Sequence, residues 1–197
     1  MSRSTHSLPH HALRAASLLL LALPLFAQAG APLQYTVDAT GASIAEREFT
    51  LDLKVVVPAP VGDSTVFEIP VWTPGSYRLR DFPERITPLR AGAGDRELGV
   101  EKLSPTAFEV RHGAVPEVQF SYRVTLRTGD RFLHASKNRR CITYEGPAVY
   151  VYVRRMLDKP CSVRFTLPEG WSQASGLQPG ENGTFVANNY EIGRAHV

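Results

Sequence analysis

The sequence predicts an all-β protein, and more specifically an antiparallel β-sandwich. Apolar and polar residues alternate with a period of two in segment after segment, most clearly over 49–55 and 118–126. Such alternation gives each strand one face toward a core and one toward water, which is typical of antiparallel sheets. The 15 glycines and 15 prolines are spread along the chain, which favours short strands joined by turns over long helices. One β domain is therefore expected.

The individual strands follow from the same alternation, and turn-forming residues separate them. The predicted strands are 33–37, 49–55, 66–69, 107–110, 118–126, 149–153 and 163–167. Turns rich in Gly, Pro and Asp are expected at 59–63, 92–95, 129–130 and 168–170. Strands at this spacing, without a long segment of 3.6-residue periodicity, indicate two packed sheets.

Residues 1–29 have the pattern of a secretory signal peptide. Arg3 and Arg14 lie in a stretch without acids, an apolar run covers 15–26, and Ala27-Gln28-Ala29 forms a small-x-small cleavage site. An uncleaved anchor is the weaker interpretation, because the run is short for a bilayer. The sequence therefore predicts export to the periplasm or the medium, with no membrane span after cleavage.

Net charge argues against a nucleic-acid binder once this segment is removed. The whole chain has a formal charge of +3 and a pI near 9.0. Cleavage after Ala29 removes two arginines and no acid, so little charge remains to release counterions from a polyanion. The 43% hydrophobic content also excludes a disordered chain, and two cysteines are too few for a disulfide-built miniprotein.

The last seven residues, 191–197, are predicted to be a non-native tail. The string Ile-Gly-Arg-Ala-His-Val resembles the translation of a widely used sequencing adapter. A genuine short tail is the alternative, since termini tolerate almost any sequence. We therefore expect one natural domain over 31–190, with its continuation beyond that point replaced by read-through.

The domain offers no recognisable catalytic or metal-binding motif. His112 and His134 are the histidines left outside the signal peptide and the tail, and neither lies in an HExxH sequence or at the spacing of a zinc site. His112 is expected in a turn. His134 lies in the basic stretch 131–140, which is expected to be a solvated loop, with anion binding as the alternative. Neither a phosphate-binding loop nor a nucleophile elbow is present.

The two cysteines, Cys141 and Cys161, are candidates for a disulfide. In an oxidising compartment the pairing would close a loop of about twenty residues and contribute about 3 kcal/mol. Two buried free thiols are the alternative. A similar choice exists for strand 149–153, where Tyr150 and Tyr152 share a face. We expect this strand to be buried on both faces with its hydroxyls hydrogen-bonded, rather than to present an aromatic surface to a partner.

The most distinctive motif follows the third predicted strand and reads Trp72-Thr73-Pro74-Gly75-Ser76-Tyr77. It resembles the signature near the start of the glycyl aminopeptidase family of zinc metallopeptidases (family M-sixty-one). Tyr35-Thr36-Val37 matches the opening of the family domain. Phe120-Ser121-Tyr122-Arg123-Val124 and Leu167-Pro168-Glu169-Gly170-Trp171 match its later segments in the same order. The resemblance extends over essentially 33–190.

The resemblance implies an N-terminal domain similar to that of aminopeptidase N-like metallopeptidases, followed by a thermolysin-like catalytic domain that binds zinc. The family's HExxH belongs to that second domain, so no catalytic residue, metal ligand or cofactor is assigned here, and the fragment is expected to be inactive. Its implied partners are its own catalytic domain and the parent enzyme's peptide substrates. Asp81 and Glu84 are candidate cleft-facing carboxylates for the substrate amine; alternatively, Asp81 pairs with Arg80 to brace the loop. A stand-alone exported β-sandwich binding module is the other interpretation.

Overall fold

The structure is a computed structural model that describes residues 31–41, 48–73, 78–127, 133–136 and 141–190, without the side chains of 48–49 and 133–136. The predicted signal peptide (1–29) and tail (191–197) lie outside the described residues. So do the predicted turn at 129–130 and the central part of the signature motif, Pro74 to Tyr77.

The described residues form fourteen strands and three short 3-10 helices. The helices are Phe82–Arg85, Gly146–Ala148 and Glu181–Gly183. The strands are β1 (Leu33–Asp38), β2 (Glu48–Pro58), β3 (Ser64–Glu68), β4 (Ile86–Ala93), β5 (Arg96–Leu98), β6 (Val100–Ser104), β7 (Ala107–Arg111), β8 (Glu117–Arg127), β9 (Leu133–Ser136), β10 (Cys141–Tyr144), β11 (Tyr152–Val153), β12 (Cys161–Thr166), β13 (Gln178–Pro179) and β14 (Thr184–Ala187).

The strands are arranged in two main sheets and one hairpin. The large sheet has the order β13-β14-β12-β1-β2-β8-β4-β5, the small sheet has the order β11-β3-β7-β6, and β9 pairs with β10. Every pairing is antiparallel except that of β1 with β12, in which Leu33 lies opposite Cys161. The predicted all-β class is confirmed, and the N-terminal and C-terminal parts of the domain meet in one sheet.

The core lies between the two sheets and is built from the residues that the alternation placed inward. Phe67 of β3 stacks on Phe120 of β8 with ring centroids 4.4 Å apart, and Phe108 of β7 approaches the same ring at 6.2 Å. Phe67, Phe120 and Tyr122 are completely buried. Burial of aromatic rings of this size contributes a large share of the hydrophobic stabilisation of a small domain. These stacked rings establish the sandwich.

The structure also differs from the predicted strands. Strands β4, β5 and β6 were not predicted, because residues 86–104 do not alternate and Pro88 lies inside β4, where the register shifts between Pro88 and Arg90. The predicted strand 149–153 is wrong over most of its length. Only Tyr152–Val153 pairs with β3, and the preceding residues form a 3-10 helix and a turn.

That irregular segment is buried and its backbone is satisfied by tyrosine hydroxyls instead of a neighbouring strand. Tyr35 donates to the carbonyl of Val151 at 2.9 Å, and the Val151 amide donates to the hydroxyl of Tyr122 at 3.2 Å. Tyr190 donates to the carbonyl of Tyr150 at 2.6 Å. Buried peptide groups without partners are costly, so these side chains are what make the irregular path possible. We call these three tyrosines, Tyr35, Tyr122 and Tyr190, the tyrosine clamp.

The expected burial and hydrogen bonding of the two tyrosines are confirmed for Tyr150 and only in part for Tyr152. Tyr150 is buried, and its hydroxyl lies 2.9 Å from the hydroxyl of Tyr144. Burial raises the pKa of the Tyr150 phenol well above its ordinary value, so it stays neutral. Tyr152 is half-buried, with its ring 5.7 Å from that of Tyr190.

Glycine permits the turn that connects β2 to β3, at the predicted position. Gly62 has a φ of +79°, a left-handed conformation that side chains disfavour. The predicted turns at 92–95 and 168–170 are present as well, between β4 and β5 and after β12. Across the described ranges, none of the helices is long and apolar enough to cross a membrane.

Candidate functional site

The signature motif connects the two sheets at one end of the sandwich. Strand β3 of the small sheet ends at Glu68, and the motif follows. The 3-10 helix Phe82–Arg85 then leads into β4 of the large sheet, where Ile86 lies opposite Val124 near the end of β8. Strands β1 and β12 also end on this side, since Asp38 pairs with Asp52 and with Thr166. We call this side of the molecule the signature end.

One backbone hydrogen bond closes the base of the signature loop. The amide of Arg80 donates to the carbonyl of Val71 at 2.9 Å, so Trp72 and Leu79 are the first residues inside the loop. Thr73 is 2% exposed, whereas the Trp72 and Leu79 side chains are 43% and 80% exposed. The loop therefore presents an aromatic and an aliphatic side chain to the outside.

The loop continues into the two carboxylates that the sequence singled out. Asp81 and Glu84 are both exposed, and the Glu84 amide donates to the Asp81 carbonyl at 3.0 Å in the turn of the 3-10 helix. The two side chains therefore emerge from a single helical turn beside the signature loop. A carboxylate in that position can accept a charge-assisted hydrogen bond from an ammonium group.

Asp81 is paired, but with a different arginine from the one expected. Its carboxylate accepts a 2.9 Å hydrogen bond from Arg85, four residues later, rather than from Arg80. The hydrogen bond from Arg85 holds the pKa of Asp81 below its ordinary value, and the charges of Arg85 and Arg127 add to this effect. Asp81 thus takes part in a bracing interaction. Its partner is Arg85, which the 3-10 helix brings within reach of the carboxylate.

A small apolar cavity lies at the same end, under Trp171. Its volume is about 140 Å³, and its walls come from the end of β1, the start of β2 and strand β10, including Val37, Leu51 and Ile142. Trp171 and Leu167 belong to the Leu-Pro-x-Gly-Trp segment, and the amide of Trp171 donates to the carbonyl of Pro168 at 3.2 Å. Two separate matches to the family pattern thus meet at the signature end.

His112 is a structural residue, in the turn where it was predicted. It follows β7 and is 3% exposed. Its Nδ1 lies 2.6 Å from the Gly113 carbonyl, which can only accept, so that nitrogen donates. Its Nε2 lies 3.0 Å from the hydroxyl of Thr65. Both ring nitrogens are thus occupied within the fold. The side chain of His134 lies outside the described part of the chain.

Both cysteines are free thiols in the structure. Cys141 begins β10, which pairs with β9, whereas Cys161 begins β12 in the large sheet. Burial raises the pKa of Cys161 to about 11, and its Sγ lies 3.6 Å from the carbonyl of Asn189. The disulfide stays a prediction, which a thiol count tests.

Within the described ranges, His, Cys, Asp and Glu side chains do not converge in groups of three or more that could hold a metal ion. What the signature end offers chemically is hydrogen bonding and apolar contact. Sequence reasoning missed Arg85, because its contact depends on the local 3-10 helix. It missed the cavity wall at Ile142, because that wall depends on how distant segments meet.

Comparison with solved structures shows the same fold in a larger protein. A crystal structure of an aminopeptidase N family protein from Idiomarina loihiensis matches 83% of this chain with a TM-score of 0.67 at 19% identity. The chain spans 28% of that protein. An M1 zinc metallopeptidase from Deinococcus radiodurans matches 79% of the chain and 36% of its own length, at 16% identity and a TM-score of 0.42. Leukotriene A4 hydrolase from Saccharomyces cerevisiae matches 81% of the chain and 26% of its own length, at 5% identity and a TM-score of 0.37.

A search among curated protein sequences found no match. The model of the Peptidase M61 N-terminal domain family, however, matches residues 34–192. That range contains both sheets, the signature loop, the tyrosine clamp and the cavity under Trp171. The chain therefore belongs to the Peptidase M61 N-terminal domain family.

Proposed function

We propose that this chain is the non-catalytic N-terminal domain of an exported zinc aminopeptidase, and that it packs on a thermolysin-like catalytic domain and helps to wall its cleft. The observation that carries the proposal is the family match over 34–192. The chain's 28% share of the Idiomarina protein supports it, because it leaves room for a further domain. In this proposal zinc belongs to the catalytic domain.

The signature end is the surface proposed to face that domain. Trp72 and Leu79, at the base of the signature loop, both expose apolar side chains, and large exposed apolar groups are typical of surfaces that another domain covers. The exposed carboxylates of Asp81 and Glu84 follow directly along the chain. Apolar side chains next to exposed carboxylates suit a boundary that borders on a polar cleft.

Asp81 and Glu84 are proposed to help bind the free amine of the substrate. Asp81 already accepts a hydrogen bond from Arg85, whereas Glu84 has its own exposed carboxylate on the same turn. In the completed enzyme, Glu84→Gln and Asp81→Asn are expected to raise KM for short peptides while kcat changes little, because the loss affects binding more than chemistry. Glu97→Gln, at an exposed acid of β5, is the matched control. Unchanged KM in both test variants would exclude the amine role.

The gene downstream of codon 190 tests the domain organisation directly. An in-frame HExxH motif would support the missing catalytic domain, and a stop codon would support a stand-alone exported binding module instead. The purified chain alone is expected to hydrolyse no aminoacyl substrate. Zinc-dependent hydrolysis by that chain would contradict the assignment of catalysis to another domain.

Export is proposed from the signal pattern at 1–29. Expression in a Gram-negative host should release a processed protein whose N-terminal sequence begins at Gly30, as read by Edman degradation or mass spectrometry. Recovery of the unprocessed chain in the cytoplasm would contradict this part of the proposal.

A further inference from the structure

A second cavity, unrelated to the signature end, lies where β3 begins and the chain turns after β11. It has a volume of about 380 Å³, which is within the range of pockets for small organic ligands. One wall is β3, from Ser64 to Val66, and the other is the segment 153–159, which we call the basic turn. The exposed Val61 lies at its edge.

The lining carries positive charge without a balancing acid. Arg154, Arg155 and Lys159 all line the cavity, and no Asp or Glu does. Arg154 also donates a 2.5 Å hydrogen bond to Glu68, outside the cavity. Among the described residues, Arg155 and Lys159 have no acidic partner, so at least two uncompensated cations face the cavity. Oxyanions are the natural ligands of such a group.

The basic turn is held in place by backbone hydrogen bonds. The Arg154 amide donates to the Val66 carbonyl at 2.9 Å, and the Met156 amide donates to the Val153 carbonyl at 3.0 Å. The Lys159 amide donates to the Met156 carbonyl at 3.2 Å. The cations therefore extend from a fixed backbone, which lowers the conformational entropy lost when a ligand binds.

Arg155 occupies a backbone conformation that favours glycine. Its φ is +66°, and a residue with a Cβ atom is strained there. Glycine or asparagine would satisfy a turn at this point at lower cost. Backbone strain of this kind often accompanies functional positions. Here the strained position carries a cationic side chain that lines the cavity.

We propose that this cavity binds an organic oxyanion, with the anionic group at Arg155 and Lys159 and an apolar body against Val61, Val66 and Met156. A carboxylate and a phosphate share the required chemistry. The apolar wall requires that the anion be attached to a hydrophobic group, since an inorganic ion would leave that wall without contacts. This site goes beyond the proposed function and does not depend on a catalytic domain.

Amide chemical shifts of the ¹⁵N-labelled chain test the proposal. Benzoate, acetate, phenyl phosphate and inorganic phosphate are titrated separately at constant ionic strength, because salt screens exposed cations. Saturable shifts are expected at 64–66 and 153–159, with benzoate binding more tightly than acetate and phenyl phosphate more tightly than phosphate. The tighter of the two aromatic ligands identifies the anionic group.

Arg155→Gly is the decisive variant, because glycine suits the backbone at that position and the fold should be retained. It is expected to weaken binding of the aromatic ligands by about tenfold, the loss of one charge-assisted hydrogen bond. Lys159→Ala should act in the same direction, and Lys102→Ala, at an exposed cation of β6, should change binding less than about twofold. Absence of saturable shifts, shifts confined to other regions, or unchanged binding in Arg155→Gly would each overturn the proposal.

Discussion

The hydroxyl of Tyr190 donates a 2.6 Å hydrogen bond to the backbone carbonyl of Tyr150. Both residues are buried, at 4% and 5% exposure. The last described residue of the chain is thereby attached to the interior segment that connects β10 to β11. Tyr122 accepts from the amide of that same peptide group, and Tyr35 donates to the carbonyl of the next one. The tyrosine clamp thus joins β1, β8 and the end of the domain through one irregular segment.

Tyr190→Phe is expected to lower the free energy of unfolding by about 1–3 kcal/mol, because it leaves a buried carbonyl without a donor. Tyr35→Phe should have an effect of similar size for the same reason. Urea denaturation followed by circular dichroism measures both changes. Tyr152→Phe is the control. The hydroxyl of this half-buried tyrosine is hydrogen-bonded to the Glu68 carboxylate, and that carboxylate still has Arg154 as a partner after the substitution. Equal losses of stability in all three variants would show that the effect does not come from leaving a buried backbone carbonyl without a donor.

Thr65→Val should destabilise the domain by about 1–3 kcal/mol, because it removes the hydroxyl that contacts Nε2 of the buried His112 and leaves a polar atom unsatisfied. Valine has nearly the same shape, so the effect isolates the hydrogen bond. Thr125→Val makes the same substitution at a half-buried position on the outer face of β8, away from His112, and is expected to be nearly neutral. Comparison of the two chemical denaturation midpoints decides the matter.

The carboxyl of Asp81 should titrate below its ordinary pKa of 3.8, because Arg85 donates to it. A lowered folded-state pKa contributes stability that is present above the unfolded pKa and lost as pH falls through the folded one. With Asp81 53% exposed, the contribution is small, about 0.5 kcal/mol. Arg85→Ala should move the titration midpoint upward in a ¹³C-detected NMR experiment. An unchanged midpoint would mean that the pair does not form in solution.

Cys161 is expected to resist alkylation in the folded protein, since burial raises its pKa to about 11 and leaves almost no thiolate near neutral pH. In protein prepared under reducing conditions, iodoacetamide should modify it only after denaturant is added, as mass spectrometry of the digested chain would show. Rapid modification of Cys161 in the native state would contradict its burial.

The same measurement addresses the predicted disulfide in exported protein. If Cys141 and Cys161 pair after export, denatured protein prepared without reductant should contain no free thiol. Two thiols per chain would exclude the pairing. The reduced and exported samples must be compared in parallel, because the structure shows the reduced form.

Sequence reasoning found the strands whose inward-facing positions are apolar without interruption. The sequence alternates over 49–55 in β2 and over 118–126 in β8, so their pattern remains visible even without a partner. Strand β4 was missed because Pro88 and the register shift interrupt its alternation. The segment before β11 was assigned to a strand because its valines and tyrosines alternate. Its actual partners are hydroxyls from distant tyrosines, which no local pattern reveals.

The candidate site was predictable in its location and not in its contacts. The signature motif indicated the loop, and Asp81 was expected to pair with an arginine. The choice between Arg80 and Arg85 depended on a 3-10 helix that begins at Phe82 with Pro83 in its first turn. The cavity beside the basic turn was not predicted at all, because β3 and the segment after β11 are far apart in the sequence.

The parallel pairing of β1 with β12 determines when the large sheet can be completed. Leu33 lies opposite Cys161, so β1 can form this pairing only after β12 has been synthesised. Contacts between residues so distant in the chain make folding slow, since loop-closure entropy is lost before those contacts form. The large sheet is therefore expected to reach its native topology only after β12 has been synthesised.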